Sequence, residues 1–226
     1  MAYFSSKSFK FLRALARNNS REWFQAHKPE YEAELRAPFL RLLADLQPDL
    51  AAISDQYRSD PRPVGGSLFR IHRDTRFASD KTPYKTHAGA RLFHHRFREV
   101  DSPSFYIHIE PGHCFVGAGL WHPEADSLRR IRHFIADNPG AWQAAVHSSA
   151  FRRRFTLGGE QLQRPPRGFP PDHPLIEDLK RKSFVGSVPL SDEVVLGQGL
   201  RRSIASALTG LAPMVDYLCA SLDLEF

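Results

Sequence analysis

The chain has 226 residues, of which 42% are hydrophobic and 25% charged, and its formal net charge at pH 7 is +6. This composition is typical of a soluble globular protein. We expect no membrane span, because such a span needs about 18–20 uncharged apolar residues in a row. We also expect no solenoid, because the sequence has no repeat period. Basic residues interrupt any apolar N-terminal segment and two cysteines are too few for a metal framework, so we expect a cytoplasmic protein with reduced thiols and no membrane partner.

The N-terminal part of the chain, residues 4–47, is predicted to be helical because apolar residues recur with the helical period. The Asn18-Asn19 pair is expected to end the first helix, and Ser20 is a good N-cap residue for the second. Pro38 predicts a kink or a new start before a third helix.

The middle of the chain contains four strand-like runs, at 67–73, 86–93, 104–110 and 114–120. In the second run His87, Gly89 and Arg91 share one face, and in the third run Tyr106, His108 and Glu110 share one face. We therefore expect a largely antiparallel sheet with one apolar and one polar face.

Helical patterns resume after Pro123 and again after Ser191, with a break or kink expected at Pro213. Between them, residues 157–174 contain five prolines and three glycines. The 52 residues that follow are too few for a comfortable second core, so this stretch is interpreted as a long internal loop. The predicted fold is α+β: a single domain, 1–226, in which a largely antiparallel sheet packs with N-terminal and C-terminal helices.

The positive charge is concentrated between residues 69 and 91, which carry six basic and two acidic side chains, or +4 of the total +6. Arginine binds phosphate or carboxylate with a planar fork, and lysine adds a mobile charge. Thr82-Pro83 disfavours helix, so residues 73–85 are expected to form an irregular loop over the polar sheet face. The candidate ligand-binding residues are Arg70, Arg73, Asp74, Arg76, Asp80, Lys81, Tyr84, Lys85 and Arg91.

His108 and Glu110 lie two residues apart on one strand face and are the candidate acid–base pair. They could also be two ligands of a metal, but two ligands do not make a site, and adding His72 or His87 depends on the unknown sheet register. No metal site is therefore predicted, and the sequence identifies no cofactor. Sequence signatures of nucleotide-binding loops, dinucleotide-binding folds, hydrolase elbows and zinc proteases are absent.

The central motif FRIHRDTRFASDKTPYKTH, with NNSREWFQAHKPEYE before it and SFYIHIEPGHCFVGAGLW after it, resembles the family called domain of unknown function 2461. The similarity also includes IRHFIADNP, RPPRGFPPDHP and LKRKSF, and so spans nearly the whole chain. It implies one α/β domain in a cytosolic protein. The family has no established activity, so the resemblance implies no catalytic role. Its shared positions fall on Arg70, Arg73, Asp74, Arg76, Phe77, Asp80, Lys81, Pro83, Tyr84 and Lys85.

Three functions follow from these patterns. The first is a pocket for a small anionic ligand, phosphorylated or carboxylated, in a protein that could be an enzyme. The second is nucleic-acid binding, in which the basic surface extends through Arg152-Arg153-Arg154, Arg164, Arg167 and Lys180-Arg181-Lys182. The third is a structural or partner-binding protein in which internal Arg–Asp pairs only stabilise the loop.

Overall fold

The computed structural model describes residues 2–226 and combines helices with one β-sheet. The α-helices are α1 Ser6–Arg17, α2 Arg21–Tyr31, α3 Ala37–Ala51, α4 Ala125–Asp137, α5 Pro139–Trp142, α6 Ser149–Arg154, α7 Ile176–Leu179, α8 Asp192–Leu196 and α9 Leu200–Ala220, with π-helical turns at Glu32–Arg36 and Gln143–His147. The strands are β1 Tyr57–Arg58, β2 Ala88–His94, β3 Ser104–Ile109, β4 Cys114–Leu120, β5 Thr156–Gly158 and β6 Phe184–Leu190.

The six strands form an antiparallel sheet in the order β1-β2-β3-β4-β6-β5. The predicted α+β fold with a largely antiparallel sheet is confirmed. The sheet contains no parallel pair, which separates it from the α/β architecture implied by the resemblance.

The N-terminal helices begin and end where local chemistry predicts. Helix α1 ends at Arg17, and the Ser20 hydroxyl accepts a hydrogen bond from the Trp23 N–H at 3.2 Å, as an N-cap should. Pro38 lies in the first turn of α3, directly after the π-helical turn. The backbone stays helical from Tyr31 through Arg36 and Ala37, and the Ala37 N–H bonds the Glu32 carbonyl, so the hydrogen-bonding pattern changes at this junction but the helix does not stop. The predicted break after α1 and the Ser20 N-cap are confirmed, whereas the new start expected at Pro38 is wrong because a π-helical turn joins α2 to α3.

The apolar face of the sheet packs against helices. Phe105, Ile107 and Ile109 alternate with polar residues along β3 and are fully buried. Helix α9 contributes much of the opposing layer, and it is the only described helix that is long and apolar enough to cross a membrane by length and composition alone. It runs uninterrupted through Pro213. Of the predicted break or kink, the break is wrong, because buried neighbours such as Leu211 and Met214 hold the helix on the core at this point.

The strand predicted at 67–73 is also wrong. Only two isolated bridges form there, Leu68 with Ala90 and His72 with Tyr84. The segment follows β2 briefly and then pairs with its own return path, through bonds from the Arg73 N–H to the Pro83 carbonyl (2.9 Å) and from the Lys85 N–H to the Ile71 carbonyl (2.8 Å). The alternation of polar and apolar residues at 67–73 therefore does not indicate a regular strand.

Residues 157–174 are tied to the sheet rather than separate from it. Their first residues belong to β5, which pairs with β6 from Thr156 to Gly158, and Gln161 bridges Arg181. Leu175, directly after the stretch, is buried in the core.

Strands β4 and β6 approach so closely at Gly119 that a side chain cannot fit. A Cβ atom there would lie 1.9 Å from the Phe184 carbonyl oxygen, and the backbone has φ = +125°. We predict that Gly119→Ala lowers the free energy of unfolding by at least about 3 kcal/mol, since it adds both backbone strain and a steric clash. Urea denaturation measures this loss.

The matched control is Gly112→Ala in the turn between β3 and β4. Its φ is +82°, but an added Cβ meets nothing within 4 Å. It should lose only about 1–2 kcal/mol from the left-handed backbone conformation. Equal losses in the two variants would contradict the steric explanation.

Candidate functional site

The polar face of the sheet brings two histidines and a carboxylate together. In the β2–β3 register Gly89 lies opposite His108 and Ala88 lies opposite Ile109. His87, two residues before Gly89, therefore lies beside His108 on the same face of the sheet. The ligand atoms of His87, His108 and Glu110 all lie within 4.8 Å of one another. The rings of His87 and His108 have centroids 4.3 Å apart, and Phe115 stacks on His108 at 4.7 Å. The structure thus unites the predicted pair, His108 and Glu110, with a third group.

Both ring nitrogens of His108 have partners. Nε2 lies 3.1 Å from Glu110 Oε2, and Nδ1 lies 3.1 Å from the Tyr106 hydroxyl oxygen. Space for this hydroxyl exists because Gly89 has no side chain; a Cβ there would lie 2.4 Å from it. The Thr86 hydroxyl donates to Glu110 Oε1 at 3.4 Å, so the carboxylate is also oriented from β2's side.

Burial determines the protonation of this cluster. It lowers the pKa of His87 to about 4, helped by the nearby His108. Burial also lowers the pKa of His108 and outweighs the opposing hydrogen bond to Glu110. For Glu110, burial alone would raise the pKa, but the His108 hydrogen bond and the surrounding histidines reduce it. At neutral pH the cluster therefore holds two neutral imidazoles and one ionised carboxylate.

The loop between residues 73 and 85 neutralises much of its own charge. Arg73 forms an ion pair with Asp80 at 2.5 Å and hydrogen-bonds the Thr82 hydroxyl. Asp80 also accepts the Thr82 N–H at 2.9 Å, and these contacts lower its pKa to about 2, the backbone bond contributing most. The predicted irregular loop is confirmed, but these predicted ligand-binding side chains are bonded to the loop itself.

The other charged residues at the tip of the loop follow the same pattern. Arg76 pairs with Asp74 at 2.7 Å, and both side chains are exposed. The Lys81 ammonium donates to the Thr75 carbonyl at 2.9 Å. The exposed Arg76–Asp74 pair stabilises the fold only slightly but cancels its own charge, whereas the Thr75 carbonyl orients the Lys81 ammonium without neutralising it.

Tyr84, predicted to contact a ligand, is a packing group. Its side chain is 2% exposed and stacks on Phe24 of α2, with ring centroids 4.1 Å apart. The Asn19 side chain holds the Tyr84 backbone from both sides, accepting its N–H at 3.0 Å and donating to its carbonyl at 2.9 Å. The turn between α1 and α2 thus anchors the loop.

Two predicted cations at the base of the loop form no ion pair within the described chain, although the charge of Arg70 adds to the Arg76 hydrogen bonds that lower the pKa of Asp74. Among residues 2–226, no carboxylate oxygen lies within 4.0 Å of Arg70 or Lys85. Lys85 is half-buried over the Phe69 ring at 5.2 Å, and burial together with the charge of Arg70 lowers its pKa. The Lys85 charge also contributes to the lowered pKa of His87. Lys85 therefore lies close enough to the histidine cluster to affect it, and Arg70 lies close enough to affect Lys85.

Arg91 is separate from these two cations. It lies opposite Tyr106 in the sheet, is half-buried, and packs over the Phe97 ring at 4.7 Å. Burial lowers its pKa. No carboxylate among the described residues lies within 4.0 Å of it, so Arg91 is a second desolvated cation on the polar face.

An open cleft of about 370 Å³ lies beside the loop. Its lining includes Arg21 and Gln25 from α2, together with His72 and Arg73. His72 is exposed here and does not belong to the histidine cluster.

The sequence left the role of His87 open and gave no role to Tyr106. Strand alternation placed both on the polar face, but joining them to His108 required the register of β2 against β3. That register was not readable from the residues because the 95–103 connection is long and lacks a short hairpin turn.

We predict that Asn19→Ala loosens the loop, because it removes both hydrogen bonds to Tyr84. The free energy of unfolding should fall by about 1–2 kcal/mol. Hydrogen exchange of the Tyr84 amide should accelerate, since this N–H loses its acceptor.

Asn18→Ala is the control, because the Asn18 side chain bonds only the Ala14 carbonyl at the end of its own helix. It should leave exchange at Tyr84 unchanged. Unaltered exchange in Asn19→Ala would refute the anchoring role.

Comparison with known proteins gives a family but no function. The family model described as "Conserved hypothetical protein (DUF2461)" matches residues 7–217. No curated protein matches the chain. Since the matched region includes the sheet, the loop and nearly all the helices, the chain belongs to the DUF2461 family.

Proposed function

We propose that this protein binds a small anionic ligand, bearing phosphate or carboxylate, on the polar sheet face at Arg70 and Lys85. The observation that carries the proposal is a pair of neighbouring cations without a carboxylate partner, one of them half-buried. The His108–Glu110 pair lies alongside, so a bound anion would meet groups capable of further chemistry.

The burial of the Lys85 charge favours a bound anion. A desolvated cation is costly unless an opposite charge or a ligand compensates it. The Phe69 ring supplies part of this compensation for Lys85, since a cation over an aromatic face gains about 0.5–2 kcal/mol. An anion between Arg70 and Lys85 would remove their mutual repulsion and add charge-assisted hydrogen bonds.

The proposed site uses fewer of the basic residues than the anion pocket expected from the sequence. Arg73, Arg76 and Lys81 already bond to Asp80, Asp74 and the Thr75 carbonyl. We assign these three residues to shaping the loop. For this part of the motif we therefore adopt the third function considered above, in which the charged side chains stabilise the fold. The ligand contacts are assigned to the unpaired cations at its base.

Nucleic-acid binding has weaker support. Three cations of its extended surface, Lys180, Arg181 and Lys182, form ion pairs with Glu177, Asp178 and Glu160. Their charges are therefore unavailable to a phosphate backbone, which leaves the arginines at 152–154, 164 and 167 as the cations of this surface without an ion pair among the described residues.

We predict that inorganic phosphate or succinate stabilises the wild-type protein in chelator-containing buffer. At a ligand concentration ten times the dissociation constant, the gain is about 1.4 kcal/mol, which corresponds to a rise of about 3–6 °C in the thermal midpoint. Lys85→Met and Arg70→Ala should abolish the rise, because each removes a compensating charge. Differential scanning fluorimetry measures the midpoints.

Arg76→Ala is the matched control, since it removes a basic residue of the same motif that already has a partner. It should retain the full rise. A wild-type rise no larger than that produced by chloride at equal ionic strength, or one that persists in both Lys85→Met and Arg70→Ala, would refute the proposal.

A further inference from the structure

We infer that His87, His108 and Glu110 form a binding site for a divalent transition metal ion. His87 directly precedes β2, His108 lies in β3 and Glu110 directly follows it, and the sheet register brings the three together. The inference stands without the proposed anion site, because it depends on a different set of ligand atoms.

The geometry suits a shared ion. Nitrogen and oxygen ligands bind such metals at about 2.0–2.2 Å, so two adjacent ligand atoms lie about 3–4 Å apart. His108 Nε2 and Glu110 Oε2 are separated by 3.1 Å, and the whole set falls within 4.8 Å. Small side-chain rotations would bring all three atoms onto one ion.

The surroundings of His108 match those of metal-binding histidines. A histidine that binds metal through one nitrogen usually donates its other N–H to a neighbouring group, which fixes the ring. When Nε2 faces the metal, the Nδ1–H can donate to the Tyr106 oxygen at 3.1 Å. The Phe115 ring on one side of the imidazole further restricts its orientation.

The protonation of the three groups is already suitable. Metal binding requires neutral imidazole and ionised carboxylate. Burial keeps both histidines neutral at neutral pH, and Glu110 is ionised. An ion would also replace the His108–Glu110 hydrogen bond as the interaction that satisfies this part-buried carboxylate.

The ligand set indicates the class of metal. Imidazole suits zinc, copper, iron and nickel, whereas magnesium and calcium prefer oxygen ligands. Two histidines and one carboxylate with open positions are found in catalytic zinc sites and in non-haem iron(II) sites. The site should therefore take Zn²⁺ or Co²⁺ and reject Mg²⁺. Bound metal and acid–base use of His108 exclude each other, because both need the Nε2 lone pair.

The test uses the full chain, dialysed against a chelator and then against phosphate-free buffer. Titration calorimetry with Zn²⁺ should show one ion per chain with a dissociation constant below about 10 µM, corresponding to more than about 7 kcal/mol. Co²⁺ should give the visible absorption of a low-symmetry, nitrogen- and oxygen-ligated ion. Glu110→Gln and His87→Ala should each weaken Zn²⁺ binding by about 100-fold or more, because removing a ligand costs at least as much as removing its outer partner.

Two further variants separate this site from metal binding elsewhere on a chain with eleven histidines. Tyr106→Phe should weaken binding about 10-fold by removing the hydrogen-bond partner of His108. His72→Ala, which removes an exposed histidine outside the cluster, should bind normally. Circular dichroism checks that each metal-free variant is folded. If a histidine variant does not fold, Glu110→Gln still tests the site, because this substitution preserves the shape of the side chain.

Absence of Zn²⁺ and Co²⁺ binding at micromolar concentration would overturn the inference. So would stoichiometric binding that Glu110→Gln and His87→Ala leave unchanged. Because these titrations contain no phosphate and the anion measurements contain a chelator, failure of one proposal leaves the other intact.

Discussion

The antiparallel pairing of β2 with β3 is the constraint on which the rest of this structure depends. Its register sets Gly89 against His108 and Ala90 against Ile107. One face of the pair is thereby committed to the core, and the other collects the ionisable side chains. A shift by one residue would exchange the faces and bury the histidine cluster under the helices. The hydrophobic core and the candidate site are therefore specified by the same backbone hydrogen bonds.

The basic motif separates into two parts with different physical roles. At the tip of the loop, arginine and aspartate side chains satisfy one another or the backbone, and they define the shape of an otherwise irregular segment. At its base, the exposed Arg70 and the half-buried Lys85 have no such partners in the part of the chain that the structure describes. Total charge is thus a poor guide to ligand binding, whereas charge left uncompensated beside desolvated groups is informative.

The sequence predicted most regular elements because their signals are local. Apolar alternation identified β3, the turn after it identified β4 as its hairpin partner, and Ser20 marked a helix start through its own side-chain hydrogen bond. The run at 67–73 failed because its alternation reflects brief contacts with two different neighbours rather than one ladder. The site was found only in part: His108 and Glu110 share a strand, but their proximity to His87 depends on pairing between distant segments. Likewise, no local pattern distinguishes the paired Arg73 from the unpaired Arg70.

The sheet ends on its two shortest strands. β1 has two residues and β5 has three, whereas the four strands between them have six or seven. Long flat edges offer unpaired backbone groups to the strands of other molecules and so promote aggregation. Because both edge strands are short, each edge of the sheet offers only a few unpaired backbone groups. The short edges therefore limit strand pairing between copies of this chain.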